Sequence, residues 1–76
     1  MMLNNGWEQI SEETFYCQEK GEGIKLMQNP ENPKLFKAYL HKDTKRIGFI
    51  SREWMSKNNA LADVSNYINK KGVDKE

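Results

Sequence analysis

Between Lys34 and Trp54 the chain sets cations among aromatic residues at two-residue spacing. Lys37, Tyr39 and His41 alternate with Phe36, Ala38 and Leu40, and a second alternating run carries Arg46, Arg52 and Trp54. Cations in such an arrangement neutralise phosphates, and planar side chains stack on nucleobases at roughly 1–3 kcal/mol each. Over residues 34–57, seven positive charges (Lys34, Lys37, Lys42, Lys45, Arg46, Arg52 and Lys57) meet only two acids, Asp43 and Glu53. The candidate nucleic-acid-binding set is therefore Lys37, Tyr39, His41, Lys42, Lys45, Arg46, Arg52 and Trp54, with DNA or RNA as partner. A purely structural role competes with this one. In it, Tyr39 and Trp54 pack under the N-terminal segment and the lysines keep the surface solvated. A third reading takes Trp54 and Met55 beside Arg52, residue types enriched in interface hot spots, as the surface of a protein-interaction adaptor or inhibitor. Such a protein would act as a monomer or as a homodimer.

Catalytic chemistry finds little to work with. His41 has no acidic neighbour except Asp43, two residues away. Cys17 lies among acids, which raise a thiol pKa and disfavour the nucleophilic thiolate, so it reads as a small buried apolar residue. Glu12 and Glu13 are adjacent, so on a strand they would point apart. The run Glu19–Gly23 lacks the spacing and the following helix of a phosphate-binding loop. One cysteine and one histidine cannot close a metal site. No enzyme activity, cofactor or metal is expected.

The chain has 76 residues, 37% of them apolar and 30% charged, which describes one small globular domain with a modest core. No apolar run approaches the roughly 20 residues that span a bilayer, so no membrane partner is expected. The opening MMLNNGWEQ lacks a positive flank and an apolar segment and does not read as a secretory signal. With a single cysteine, a reducing, cytoplasmic location is the default expectation. Net charge is +1, but residues 1–32 carry −4 and residues 33–76 carry +5. Such a polarised chain either offers one basic face to an anionic partner or pairs its own halves.

The elements that must position these residues follow from periodicity and punctuation. Residues 1–6 and 73–76 are expected to be flexible ends. Trp7–Ile10 is a strand or a turn of helix, and Ser11–Thr14 a turn or a helix start. Residues 14–28 read as strand, turn and strand, with two glycines in Glu19–Gly23 as the connection. Asn29–Pro33 is a loop, since both prolines lack an amide donor. Leu35–His41 and Arg46–Trp54 form a hairpin in which Phe36, Ala38, Leu40, Ile47, Phe49 and Ser51 face inward. Its turn, Lys42–Lys45, lacks glycine and predicts a four- or five-residue loop. Ser56, with Asn58 and Asn59 as competitors, is the candidate cap of a helix whose Leu61, Val64 and Ile68, with Ala60 and Tyr67 beside them, share one face, with Gly72 placed to close it.

A short antiparallel sheet followed by a C-terminal helix over residues 34–71 resembles the small sheet-plus-helix DNA-binding domains of plant transcription factors and the arm-binding domains of tyrosine integrases. That resemblance, one of topology, implies a sheet laid in the major groove and a helix bracing it from behind. The segment WMSKNNALADVSNYI is also similar to the strand-to-helix junction of an uncharacterised bacterial family of small sheet-plus-helix repeats, which implies no activity. The expected fold is α+β: a three- to five-stranded antiparallel sheet with one C-terminal helix on one face. The expected core is Ile24, Leu26, Phe36, Ala38, Leu40, Ile47, Phe49, Leu61, Val64 and Ile68, with Phe15.

Overall fold

A computed structural model of the protein describes residues 3–73. Five antiparallel strands lie side by side in chain order: β1 (Trp7–Ser11), β2 (Thr14–Cys17), β3 (Glu22–Gln28), β4 (Phe36–Lys42) and β5 (Lys45–Phe49). One helix, α1 (Lys57–Val73), follows them. The architecture is the expected α+β one, at the upper end of the predicted strand number.

The helix covers one face of the sheet. Ala60, Val64 and Ile68, four residues apart, are buried with Trp7, Phe15, Cys17, Ile24, Leu26 and Ala38 in one apolar cluster. Ala38 and Ala60 are fully buried, and such small side chains let α1 approach β4, the strand against which it makes its main sheet contact. Leu61, Tyr67, Phe36 and Leu40 pack at the margin of this cluster. Trp7 is the largest fully buried side chain, and its ring meets Tyr67 edge-on with centroids 6.3 Å apart. Burying a side chain of that size contributes on the order of 2–3 kcal/mol or more.

The two ends of the described chain depart from expectation. Residues 4–6 form a short 3-10 turn instead of a loose lead-in, with the Asn5 side-chain amide donating to the Ile68 carbonyl at 2.5 Å. Leu3 donates its amide to the Trp7 carbonyl at 2.7 Å, so the turn is held from both sides. The helix runs through Gly72 to Val73 instead of closing at the glycine. Residues 1–2 and 74–76, the remainder of the expected flexible ends, lie outside the described residues.

The hairpin β4–β5 holds the main correction. Its loop has two residues, Asp43 and Thr44, because Asp43 adopts the left-handed conformation (φ 58°) that the turn needs without glycine. Leu40 pairs with Gly48 while His41 pairs with Arg46, so Ile47 is an extra residue in β5. A bulge of this kind reverses the facing of all that follows it. Ile47 (53% exposed) and Phe49 (47% exposed) are therefore not core residues. Phe49 stands opposite Tyr39 on the face away from α1.

Beyond β5 the chain makes a second irregularity before returning to the sheet. Ile50 and Ser51 both donate to the Ala38 carbonyl, at 2.8 and 3.2 Å, and Met55 then bridges Phe36. The Ala38 amide has no strand carbonyl opposite it at this point. It donates instead to the buried Ser51 hydroxyl at 3.1 Å. Ser56 caps α1, its hydroxyl accepting from the Asn59 amide at 3.3 Å. In the first turn Lys57 pairs with Glu12 and Glu13 at 3.0 and 3.1 Å. Its hydrogen bonds to Glu12 first and to Glu13 next raise its pKa above the ordinary 10.5.

Ser51→Ala leaves the buried Ala38 amide without an acceptor. Urea unfolding is expected to show a loss of about 1–3 kcal/mol, the cost of an orphaned buried donor. A loss under a few tenths would mean that water or a shifted carbonyl replaces the hydroxyl.

Candidate nucleic-acid interface

The face opposite α1 takes alternate residues of all five strands; its basic-aromatic part lies on β3, β4 and β5, and Glu8, Thr14 and Tyr16 continue it on β1 and β2. Lys25 pairs with Tyr39 and Tyr39 with Phe49, which makes one row across the sheet. Met27 pairs with Lys37 beside that row, and Gly23, His41 and Arg46 form the next. Trp54 joins this face because Met55, one residue on, bridges Phe36 and packs on the core side. Alternation then turns Trp54 outward, beside Lys37.

The cations lie over the rings. Lys37 Nζ is 4.6 Å from the Phe49 centroid and 5.2 Å from that of Trp54. The Arg46 guanidinium is 5.0 Å from Phe49 and 6.0 Å from Tyr39. These separations lie in the range of cation–π attraction. Among the described residues, no carboxylate comes within ion-pairing distance of Lys25, Lys37 or Arg46. A hollow of about 390 Å³ opens beside Tyr39, walled by Lys25, Met27, His41 and Arg46 with Asp43 and Thr44 at its end.

His41 is a packed ring in this surface. Its Nδ1 is 3.0 Å from the Asp43 carbonyl, a bond that requires the proton on Nδ1. Its Nε2 is buried without a hydrogen-bond partner. The ring edge lies over Gly23, where a Cβ would come within 2.5 Å of Cε1 and Nε2. Glycine is needed at position 23 because the imidazole occupies the space of a side chain.

Of the residues singled out in sequence, Lys37, Tyr39, His41, Arg46 and Trp54 share the outer face. Lys42 and Lys45 do not: they pair with each other at the hairpin end, on the strand parity of Leu40 and the inner face. Arg52 does not either. It lies in the excursion after β5 and lines a hollow with Glu53, Asp63 and Tyr67 on the helix side. Tyr39 and Trp54 do not pack under the N-terminal segment, which lies against α1 on the other face. Three contributors were missed. Phe49 was assigned to the core by unbroken alternation. Lys25 and Met27 belong to a strand whose pairing with β4 no local pattern discloses, although alternation already set Lys25 opposite Ile24 and Leu26.

Among the described residues, no group of three or more His, Cys, Asp or Glu side chains is placed to hold a metal ion. No helix among them is long and apolar enough to cross a membrane. Compared with protein-family models, curated proteins and solved structures, the chain matches none. The likeness to sheet-plus-helix DNA-binding domains therefore rests on the topology of residues 34–71 alone.

Gly23→Ala is expected to drive the His41 ring from its seat at a cost of roughly 1–3 kcal/mol, the range for overpacking. In a His41→Ala background most of that cost should vanish in a double-mutant cycle read by urea denaturation. An equal cost in both backgrounds would assign the clash to the Phe15 carbonyl, which lies 3.3 Å from the same Cβ position.

Proposed function

We propose that the protein is a small non-catalytic nucleic-acid-binding or regulatory module that engages its ligand through the outer face of β3–β5. One observation carries the reading. Lys25, Lys37 and Arg46, unpaired with any described carboxylate, are interleaved with Tyr39, Phe49 and Trp54 on a sheet face that no other described element covers. Cations without a protein counter-ion need break no ion pair to meet a phosphate, and each phosphate met releases condensed counterions. The rings between them supply contact area that a phosphate-only surface lacks. These residues of the face are cations and rings, the composition of a binding surface. DNA and RNA both fit this chemistry, in a cytoplasmic setting.

The alternative, a protein-interaction adaptor or homodimer, draws on Ile47 and Phe49, two exposed apolar side chains next to Arg46 on β5, a strand at the sheet's free edge. Dimer mass in solution at tens of micromolar, abolished by Ile47→Lys, would favour it.

Labelled oligonucleotides should bind with an affinity that falls steeply with salt. Three phosphate contacts give a log–log slope of roughly −2 to −3. Lys37→Glu with Arg46→Glu should abolish binding with unfolding unchanged, while Arg52→Glu, on the helix side, should leave affinity within about threefold. Equal affinity of the wild type and the double variant would remove this surface from consideration.

A further inference from the structure

We infer that the ligand of the outer face is a single strand, RNA or DNA, whose bases stack on Tyr39, Phe49 and Trp54. This rests on the nucleic-acid reading above and names its substrate class.

The first ground is the exposure of Phe49. Its ring stands 47% exposed, opposite Tyr39 in register and with Trp54 beyond Lys37. A duplex keeps its base faces inside its own stack and would offer these rings only groove edges, sugar and phosphate. An unpaired base offers a π-face, and every base has one. The second ground is shape. The three strands of the basic-aromatic part span only about 10 Å, but β1 and β2 continue the same face to about 19 Å at about 4.8 Å per strand. The major groove of B-DNA is about 12 Å wide and admits a two-stranded ribbon. The outer-face positions of β1–β5 also carry no Asn or Gln, the side chains that read adenine edges.

The third ground is the spacing of charge and ring. Lys37 and Arg46 each lie within 4.6–6.0 Å of two rings. A nucleotide that stacks on one ring thus finds a cation beside it for its own or its neighbour's phosphate. The hollow beside Tyr39, flanked by Lys25 and Arg46, has the volume of a small-ligand site, about 390 Å³, and gives one splayed base a recess.

The test uses the full chain with RNA and DNA oligonucleotides of about 12 residues, within the span of small single-strand-binding folds. The blunt duplex of the same sequence is the comparison. Single strands should bind about tenfold or more tightly than the duplex, the worth of one or two stacked bases. Trp7 is fully buried, so fluorescence quenching on binding reports Trp54 and should disappear in Trp54→Phe. Phe49→Ala, an exposed position, should lower single-strand affinity roughly 5- to 100-fold while leaving the salt slope unchanged, since no phosphate contact is lost. Single-strand affinity undiminished in Phe49→Ala overturns the stacking role. Duplex binding as tight as single-strand binding, and lost in the Lys37→Glu, Arg46→Glu variant, overturns the inference while leaving the nucleic-acid reading intact. Binding of neither form overturns both.

Discussion

A single helix of 17 residues has one apolar stripe, and about 26 Å of it can seal only one face of a sheet. The rest of this protein answers to that limit. Ala60, Val64 and Ile68 are spent on the inner face, where Trp7, Cys17, Ile24 and Ala38 lose all contact with water. No described element covers the outer face, yet it carries aromatic side chains of the kind that favour strand pairing, Tyr39 and Phe49 among them. Lys37 and Arg46 reconcile the two. Their charged ends lie over Phe49, Tyr39 and Trp54, each contact contributing about 0.5–1 kcal/mol at an exposed site, and their stems shade the rings from water. The basic-aromatic surface is first of all a solution to one-sided burial, and the proposed binding role rests on the surface that results.

Both edge strands depart from strict alternation in the same way. β1 carries an irregularity between Gln9 and Ser11, β5 one between Arg46 and Gly48, and in each the extra residue is an isoleucine turned to solvent. Bulges at sheet edges twist the edge and spoil it as a template for further strands. They also mark the limit of what the chain discloses. Alternation is a parity argument, and one inserted residue inverts it for every position beyond. That is why β3, β4 and the stripe of α1 were legible from periodicity while Ile47 and Phe49 were assigned to the wrong side. The Ser56 cap was legible because capping is local. Trp7–Ile10 resisted because its burial depends on pairing with β2 and on the 3-10 turn against α1, neither of which four residues encode.

Charge density along the chain proved a poor guide to charge density in space. Of the cations that residues 34–57 place on β4 and β5, Lys37 and Arg46 fall on the outer face and Lys42 and Lys45 do not, while Lys25, beside them on β3, comes from the acidic half. The two halves meet at Lys57. A cation in the first turn of a helix opposes the macrodipole, and α1 has no acid of its own there. Glu12 and Glu13, from the turn between β1 and β2, supply that negative charge and fasten the first hairpin to the helix. Intramolecular pairing thus occurs, but on the helix side, and it leaves the cations of the outer face without described acidic partners.

The same cation–π contacts bear on how such a face would take a ligand. A base arriving on the side of Phe49 that carries Lys37 or Arg46 must displace that cation, giving up about 0.5–1 kcal/mol. Stacking returns roughly 1–3 kcal/mol. The displaced ammonium or guanidinium is then free to meet the phosphate attached to that base. The exchange is favourable even at the unfavourable ends of both ranges, where the terms cancel, because the phosphate contact is added to it. The backbone that carries the rings is already ordered: Phe49 and Tyr39 stand on paired strands, and Trp54 is one residue from the Met55–Phe36 bridge. A surface whose cations rest on its aromatics is therefore already arranged as a stack with one layer missing.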